Sequence, residues 1–300
     1  MCDTCGCNIT PGNEHLVRAD GKLAVTEDGK QAVNVLKSLL SENDHQAQHN
    51  RDHFDRHGVL AINLMSSPGS GKTALLEATI EALKDSGLSI AVVEGDLETE
   101  NDAERIRAHG VPAIQIATGS ACHLDAHMVH DALHQLDLDS VDILFIENVG
   151  NLVCPASFDL GHHHNITLLS TTEGDDKPAK YPVMFRAADL MLITKCDLLH
   201  VLDDFSPDKA ERYLRELASS APAFCLSAKS GEGLEQWLEW LSDAVKSHKE
   251  RTEKDETIQP RIQIDGVKFH QVSGHHHDNA HAHSHGHAHP HTHSHPHDHS

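Results

Sequence analysis

The chain has 300 residues, enough at about 150 per domain for one large or two small domains whose core needs no disulfide or metal to hold it. Asp and Glu number 46 against 24 Lys and Arg, a formal charge of -22, so no surface is expected to bind a phosphate backbone and nucleic acid is excluded as a partner. No apolar run reaches the roughly 18–20 residues of a membrane span, and the opening MCDTCGCNIT lacks the basic and apolar regions of a signal peptide; a cytoplasmic protein without membrane contact is expected.

Four regions follow in chain order. Residues 1–57 begin with Cys2-x-x-Cys5-Gly6-Cys7, three of the chain's seven cysteines, in a stretch too polar and short to fold alone. Apolar residues at helical spacing between positions 28 and 40 predict a short helix, and the polar SENDHQAQHNRDHFDRHG after it predicts a linker. From 58 to 247 strand-like runs alternate with helix-like ones: VLAINLMS, SIAVVEGD, AIQIAT, VDILFIENVG, ITLLST, DLMLITK and AFCLSA, with helices including KTALLEATIEALKDSG, ETENDAERIRAHG, HLDAHMVHDALHQL, DKAERYLRELASS and GLEQWLEWLSDAVKS. Continuous apolar strands separated by helices predict a mostly parallel sheet in a three-layer α/β domain. Residues 248–274 read as a charged linker, with one possible hairpin around Asp265-Gly266. Residues 275–300 contain no core-forming side chain and are expected to be a disordered metal-binding tail.

The first strand runs into Ser66-Ser67-Pro68-Gly69-Ser70-Gly71-Lys72-Thr73, followed at once by a helix. This is a phosphate-binding loop in its proper context. Gly69, Ser70 and Gly71 turn backbone N–H groups onto phosphates, Lys72 reaches the β and γ oxygens, and the Thr73 hydroxyl ligates Mg²⁺. Ser66 stands where the motif has its first Gly. Base choice is assigned farther on, to Lys195 and Asp197 in Thr194-Lys195-Cys196-Asp197 and to the loop Ser227-Ala228-Lys229. The Asp197 carboxylate accepts from guanine N1 and N2, a donor pair adenine lacks, so GTP and GDP are expected rather than ATP; the bland reading of Asp197 is a helix N-cap. Glu94-Gly95-Asp96 and Glu147-Asn148-Val149-Gly150 close two other strands. Asp96 is placed for Mg²⁺ or the attacking water, Glu147 for the reaction, and the Gly150 N–H for sensing the γ-phosphate; the bland reading of either carboxylate is a helix cap. Lys72, Asp96, Glu147 and Gly150 are thus the candidate catalytic set.

Of 29 histidines, 13 lie in the tail: His275, His276, His277, His281, His283, His285, His287, His289, His291, His293, His295, His297 and His299. Alternating imidazoles on a mobile chain bind several Ni²⁺, Zn²⁺ or Cu²⁺ ions weakly. Cys2, Cys5 and Cys7 offer thiolates that select Ni²⁺, Zn²⁺ or Cu⁺ over Mg²⁺. Inside the α/β domain Cys122 and His123 open a helix and Cys154 follows Gly150 by four residues, a possible three-ligand metal site needing water or a second chain; on spacing alone, two small buried thiols and a surface histidine fit equally well. His123, His127, His130 and His134 recur on one helical face, as a metal track or, more simply, a solvated face. His162 to His164 are ambiguous in the same way.

Together these motifs resemble the HypB family of hydrogenase nickel incorporation GTPases. The amino-terminal cysteines, SSPGSGKT, VVEGDLETENDAERI, TGSACHLDA, IENVGNLVCPASFDLG and TEGDDKPAKYP carry the likeness. The resemblance implies a P-loop fold of the signal-recognition and MinD class, a tight nickel site at Cys2, Cys5 and Cys7, and a nickel or zinc site of Cys122, His123 and Cys154 at a GTP-dependent homodimer interface. It implies as partners a small nickel/zinc accessory chaperone and the [NiFe]-hydrogenase large-subunit precursor. The expected function is a slow, Mg²⁺-dependent GTPase that stores and inserts nickel, the alternative being nickel storage under a regulatory G domain.

Overall fold

The computed structural model describes residues 30–96, 101–119, 121–261 and 272–274. Seven strands form one parallel sheet: β1 Leu60–Met65, β2 Ile90–Asp96, β3 Ala113–Ala117, β4 Ile143–Glu147, β5 His164–Ser170, β6 Leu190–Thr194 and β7 Ala223–Cys225, in the order β3-β2-β4-β1-β5-β6-β7. The central strands are buried along their whole length, as apolar runs covered on both faces must be. Each begins within two residues of the expected run. Helices cover the two faces: α1 Lys30–His57, α2 Lys72–Leu83, α3 Asn101–Ala108, α4 Ala126–Leu133, α5 Lys177–Lys180, α6 Pro182–Ala187, α7 Pro207–Glu216 and α8 Leu234–Thr252. One core layer joins α2 and α8 to the sheet through Leu75, Leu76, Trp237 and Leu241, where the Trp237 indole donates to Thr79 Oγ1 at 2.9 Å. The opposite layer packs α1 and α4 through Phe54, Val129 and Leu133. Among the described residues no helix is long and apolar enough to cross a membrane.

Three local expectations are corrected. Residues 41–57 are not a linker but continue α1, because Asn43, Ala47, Asn50, Arg51 and Phe54 fall on one helical face and are all buried. Its polar members are paired: Asn43 accepts from Ala126 N and donates to Asp159 O, Asn50 donates to Ala126 O and Leu160 O, and Arg51 Nη2 reaches both Asp159 oxygens at 2.7 Å. Burial works against the Asp159 charge, yet the Arg51 guanidinium and His162 hold its pKa below the ordinary value. Second, α4 starts at Ala126 under an Asp125 N-cap that accepts from Met128 N at 2.9 Å, so Cys122 and His123 precede the helix and His123 is not on the histidine face. Third, α8 runs past Ser247 to Thr252 and β8 Glu256–Ile258 pairs antiparallel with β9 Val272–Gly274, so the stretch read as a linker carries structure at both ends; the turn expected around Asp265-Gly266 lies outside the described residues. His162 and His163 are buried beside β5, not solvated.

Candidate functional site

The carboxyl ends of the parallel strands carry the chemistry, as open α/β sheets dictate. After β1 the chain turns through Gly69 and Gly71 into α2, and Gly71 takes the left-handed conformation at φ +92 as the residue before the helix. A cleft of about 400 Å³ opens there, lined by Gly69, Lys72, Thr73, Asp96, Glu147 and Gly150, together with Pro68, Glu94, Asp102 and Arg105. All four candidate catalytic residues therefore face one space. Lys72 Nζ rests on Ser66 Oγ at 3.1 Å and lies 4.0 Å from Glu147 Oε1, which also accepts from Thr73 Oγ1 at 3.0 Å. Ser66, the departure from the loop motif, thus anchors the loop lysine.

Two buried carboxylates crowd this cleft. Burial pushes Glu147 up to about 7 against the opposing pull of Lys72 and Thr73, and burial with the charges of Glu147, Asp102 and Asp96 pushes Glu94 to about 8. Glu94 Oε2 and Glu147 Oε2 are buried without a hydrogen-bond partner. Unpaired carboxylate oxygens beside a threonine hydroxyl are an oxygen-rich donor set suited to a hard divalent cation, so the residues present fit Mg²⁺.

A second pocket of about 260 Å³ lies on the other side of the loop, lined by Ser70, Gly71, Thr194, Lys195, Asp197, Ser227, Ala228 and Lys229. The structure thus brings both expected base-reading segments to one wall. Lys195 adopts a left-handed conformation, its Nζ donates to Gly69 O at 2.8 Å, and Thr194 Oγ1 donates to Ser70 O at 2.7 Å. The second pocket is thereby tied to the loop after β1. From a third side Glu173 accepts from Ser70 Oγ at 2.6 Å, and its other oxygen is buried and unpartnered. Glu173, Asp102 and Arg105 escaped the sequence-based assignment, and Glu94 was read only as part of a strand-end segment; the one signal for Glu173 was its place in the string TEGDDKPAKYP.

Beyond Gly150 the chain reaches the sulfur ligands. Cys122 and Cys154 Sγ lie 3.3 Å apart and Cys122 Sγ is 3.8 Å from His123 Nδ1, so one ligand atom from each residue falls within 4.8 Å of the others. His123 is buried and stacked on Phe158 at 3.9 Å, and the Asn151 side chain accepts from Val153 N and Cys154 N. The hydrogen bond with Cys154 brings the Cys122 pKa down to about 5, outweighing burial, with help from His123. A ready thiolate, a thiol and an imidazole form a soft-metal donor set. Gly150, four residues before Cys154, lines the cleft and packs so closely on the loop that a Cβ there would stand 2.8 Å from Pro68 Cα. Cys2, Cys5, Cys7 and the histidines from His275 to His299 lie outside the described residues.

Fold and cleft together define a P-loop nucleotide-binding protein. Residues 60–224 match the family described as CobW/HypB/UreG, nucleotide-binding domain. The hydrogenase maturation factor HypB of Escherichia coli (strain K12) is 54% identical over 212 residues, covering 71% of this chain and 72% of the relative. The probable hydrogenase maturation factor HypB of Methanocaldococcus jannaschii is 44% identical over 219 residues, covering 72% and 97%. Among solved structures, HypB from Helicobacter pylori in complex with nickel gives a TM-score of 0.66 at 42% identity, covering 69% of this chain and 96% of that one. The hydrogenase maturation factor HypB from Archaeoglobus fulgidus gives 0.64 at 38% identity, covering 69% and 100%. The chain belongs to the HypB hydrogenase maturation factors of the CobW/HypB/UreG family, as its motifs imply.

Proposed function

We propose that this chain is a GTP-hydrolysing nickel metallochaperone of hydrogenase maturation, in which the nucleotide state sets the hold of Cys122, His123 and Cys154 on a nickel cargo. The observation that carries the coupling is the close approach of Gly150 to Pro68, four residues before Cys154. Anything that displaces the phosphate loop or the Gly150 backbone must move the chain that bears a metal ligand, because close-packed backbone contacts leave no slack. Lys72 moves from Ser66 and Glu147 onto the phosphates. Its departure and the approach of the phosphates change the field at Glu147, whose pKa of about 7 lets it hold or release a proton near neutrality. Asp96 orients the attacking water, and the Gly150 N–H faces the γ-phosphate. Thr73 and Asp96, with Glu94 and Glu147 beside them, would hold Mg²⁺, which neutralises phosphate charge when bound.

Lys195, Asp197 and the Ser227–Lys229 loop hold the base, with Asp197 selecting guanine. Zn²⁺ suits the same Cys and His donors, and a second copy of the chain would supply the missing ligands of the cluster in a GTP-dependent dimer. An accessory metal chaperone and the hydrogenase large-subunit precursor are the partners this reading requires. The 13 tail histidines would serve as a reservoir.

Phosphate release measured with GTP and with ATP in the presence of Mg²⁺ tests the reading. Turnover of GTP alone is expected, and Asp197→Asn is expected to weaken GTP binding roughly 100-fold, as loss of a charged hydrogen-bond partner of a few kcal/mol implies. Equal turnover of ATP, or unchanged GTP affinity in the variant, would overturn the base assignment.

A further inference from the structure

Two helices outside the cleft and the thiol cluster present histidines to each other. On α1, His49 and His53 are four residues apart with ring centres separated by 5.2 Å; on α4, His130 and His134 are four apart with ring centres separated by 4.7 Å. Across the helix interface His49 lies 5.1 Å and His53 6.4 Å from His130. The neighbouring His57 is engaged elsewhere, its Nδ1 being 2.6 Å from Asp139 Oδ1. A solvated face explains a histidine row on one helix; it does not explain a facing row on its neighbour.

One nitrogen pair stands at hydrogen-bond distance, a separation that two ligands of one ion also take. His130 Nε2 and His134 Nε2 are 3.3 Å apart. A tetrahedral ion bonded to nitrogen at about 2.0–2.1 Å separates its ligand nitrogens by about 3.3–3.4 Å and the ring centres of two such imidazoles by about 5 Å. The proton on His130 is also fixed. Asn50 Nδ2 donates to Ala126 O and Leu160 O, which leaves Asn50 Oδ1 as the acceptor 3.1 Å from His130 Nδ1. His130 therefore carries its hydrogen on Nδ1 and its lone pair on Nε2, toward His134. An outer hydrogen bond that sets the tautomer of a ligating imidazole is the usual support of such a site.

We propose that His130, His134 and His49, with His53 as fourth ligand, form an all-histidine site for a tetrahedral divalent cation, Zn²⁺ before Ni²⁺. Three of the four pairwise ring separations given above match the bound arrangement, and the nitrogen still to be brought in is that of exposed His49, which side-chain rotation supplies. The ion would fasten α1, which follows the amino-terminal cysteine segment, to α4, which starts three residues after His123.

Residue-resolved carbethoxylation of the full chain by diethyl pyrocarbonate, read by mass spectrometry with and without Zn²⁺, tests this without interference from other metal sites, since each histidine is scored separately. At Zn²⁺ about ten times the dissociation constant, modification of His49, His130 and His134 should slow about tenfold, while His57 reacts unchanged and Mg²⁺ protects none of them. In His134→Gln, an exposed substitution, protection of His130 should be lost; a thermal midpoint equal to that of the parent without metal shows that the variant is folded. Absence of Zn²⁺ protection at His130 and His134, or protection of His130 that persists in His134→Gln, would overturn the proposal.

Discussion

The phosphate cleft and the Cys122–His123–Cys154 cluster share one loop of the chain but hold themselves together in opposite ways. In the cleft, hard oxygen and nitrogen groups sit on strand ends and a helix start, and the buried charges of Glu94 and Glu147 oppose each other. In the cluster, soft ligands ride on irregular turns, and the acidic Cys122 thiol is stabilised by its neighbours. The cleft is arranged to take a hard cation that relieves repulsion, and the cluster offers polarisable donors to a softer one. What joins them is one loop, residues 147–154, which starts at the cleft with Glu147, presses Gly150 on Pro68 and ends at the cluster with Cys154.

Separating the two regions gives the largest expected effect. Lys72→Ala removes the only cation touching Glu147 in the described cleft by an ion pair and should lower GTP turnover by a factor on the order of 10³, the scale of losing a preorganised charge. Nickel affinity at the cluster without nucleotide should not change; phosphate-release kinetics and metal titration check both halves. The reverse cut is Cys154→Ala, which should weaken nickel binding at the cluster by about 100-fold or more, since even outer-shell partners are worth 10–100-fold. GTP affinity should be unaltered, as measured by fluorescent-nucleotide binding.

A smaller effect sharpens the electrostatic side of the contrast. Glu94 has a pKa raised from an ordinary 4.5 to about 8, so the folded chain keeps a proton that the unfolded chain releases. Its contribution to stability is fully present below pH 4.5 and is lost as pH rises toward 8. Glu94→Gln should therefore raise the nucleotide-free melting midpoint at pH 8.5 by a few degrees, roughly 2–5 °C, and change little at pH 4.5. Differential scanning fluorimetry across that range checks the sign; a midpoint lowered at pH 8.5 would contradict the assigned strain.

The sheet was legible because β1, β4 and β6 are apolar from end to end, and continuous burial leaves that trace in hydropathy. The loop after β1 and the segments at residues 194–197 and 227–229, which line one pocket, could be singled out because short-range residue order marks them. The helix over residues 41–57 was not, since Asn43, Asn50 and Arg51 are buried by partners more than 75 residues away, Ala126, Asp159 and Leu160. Patterning registers apolar periodicity and is blind to polar groups that find distant carbonyls. The same limit hid Glu173, whose role depends on a bond to Ser70 across 103 residues, and the facing histidines of α1 and α4. Spacing could suggest the cluster of Cys122, His123 and Cys154, but only the fold brings residues 32 positions apart to 3.3 Å.

The central claim is that the loop from Glu147 to Cys154 transmits nucleotide state to the metal ligands. In a full-length Cys2→Ser, Cys5→Ser, Cys7→Ser chain, the thiolate-to-nickel absorption band reports Cys122 and Cys154 while tail histidines are silent. Nickel release to a chelator, followed by that band, should differ about tenfold between GDP and a slowly hydrolysed GTP analogue, a coupling within the usual range of 1–3 kcal/mol. In Gly150→Ala, whose new methyl group collides with Pro68, that difference should collapse while nickel still binds. Equal release rates with the two nucleotides in the parent chain would contradict the account.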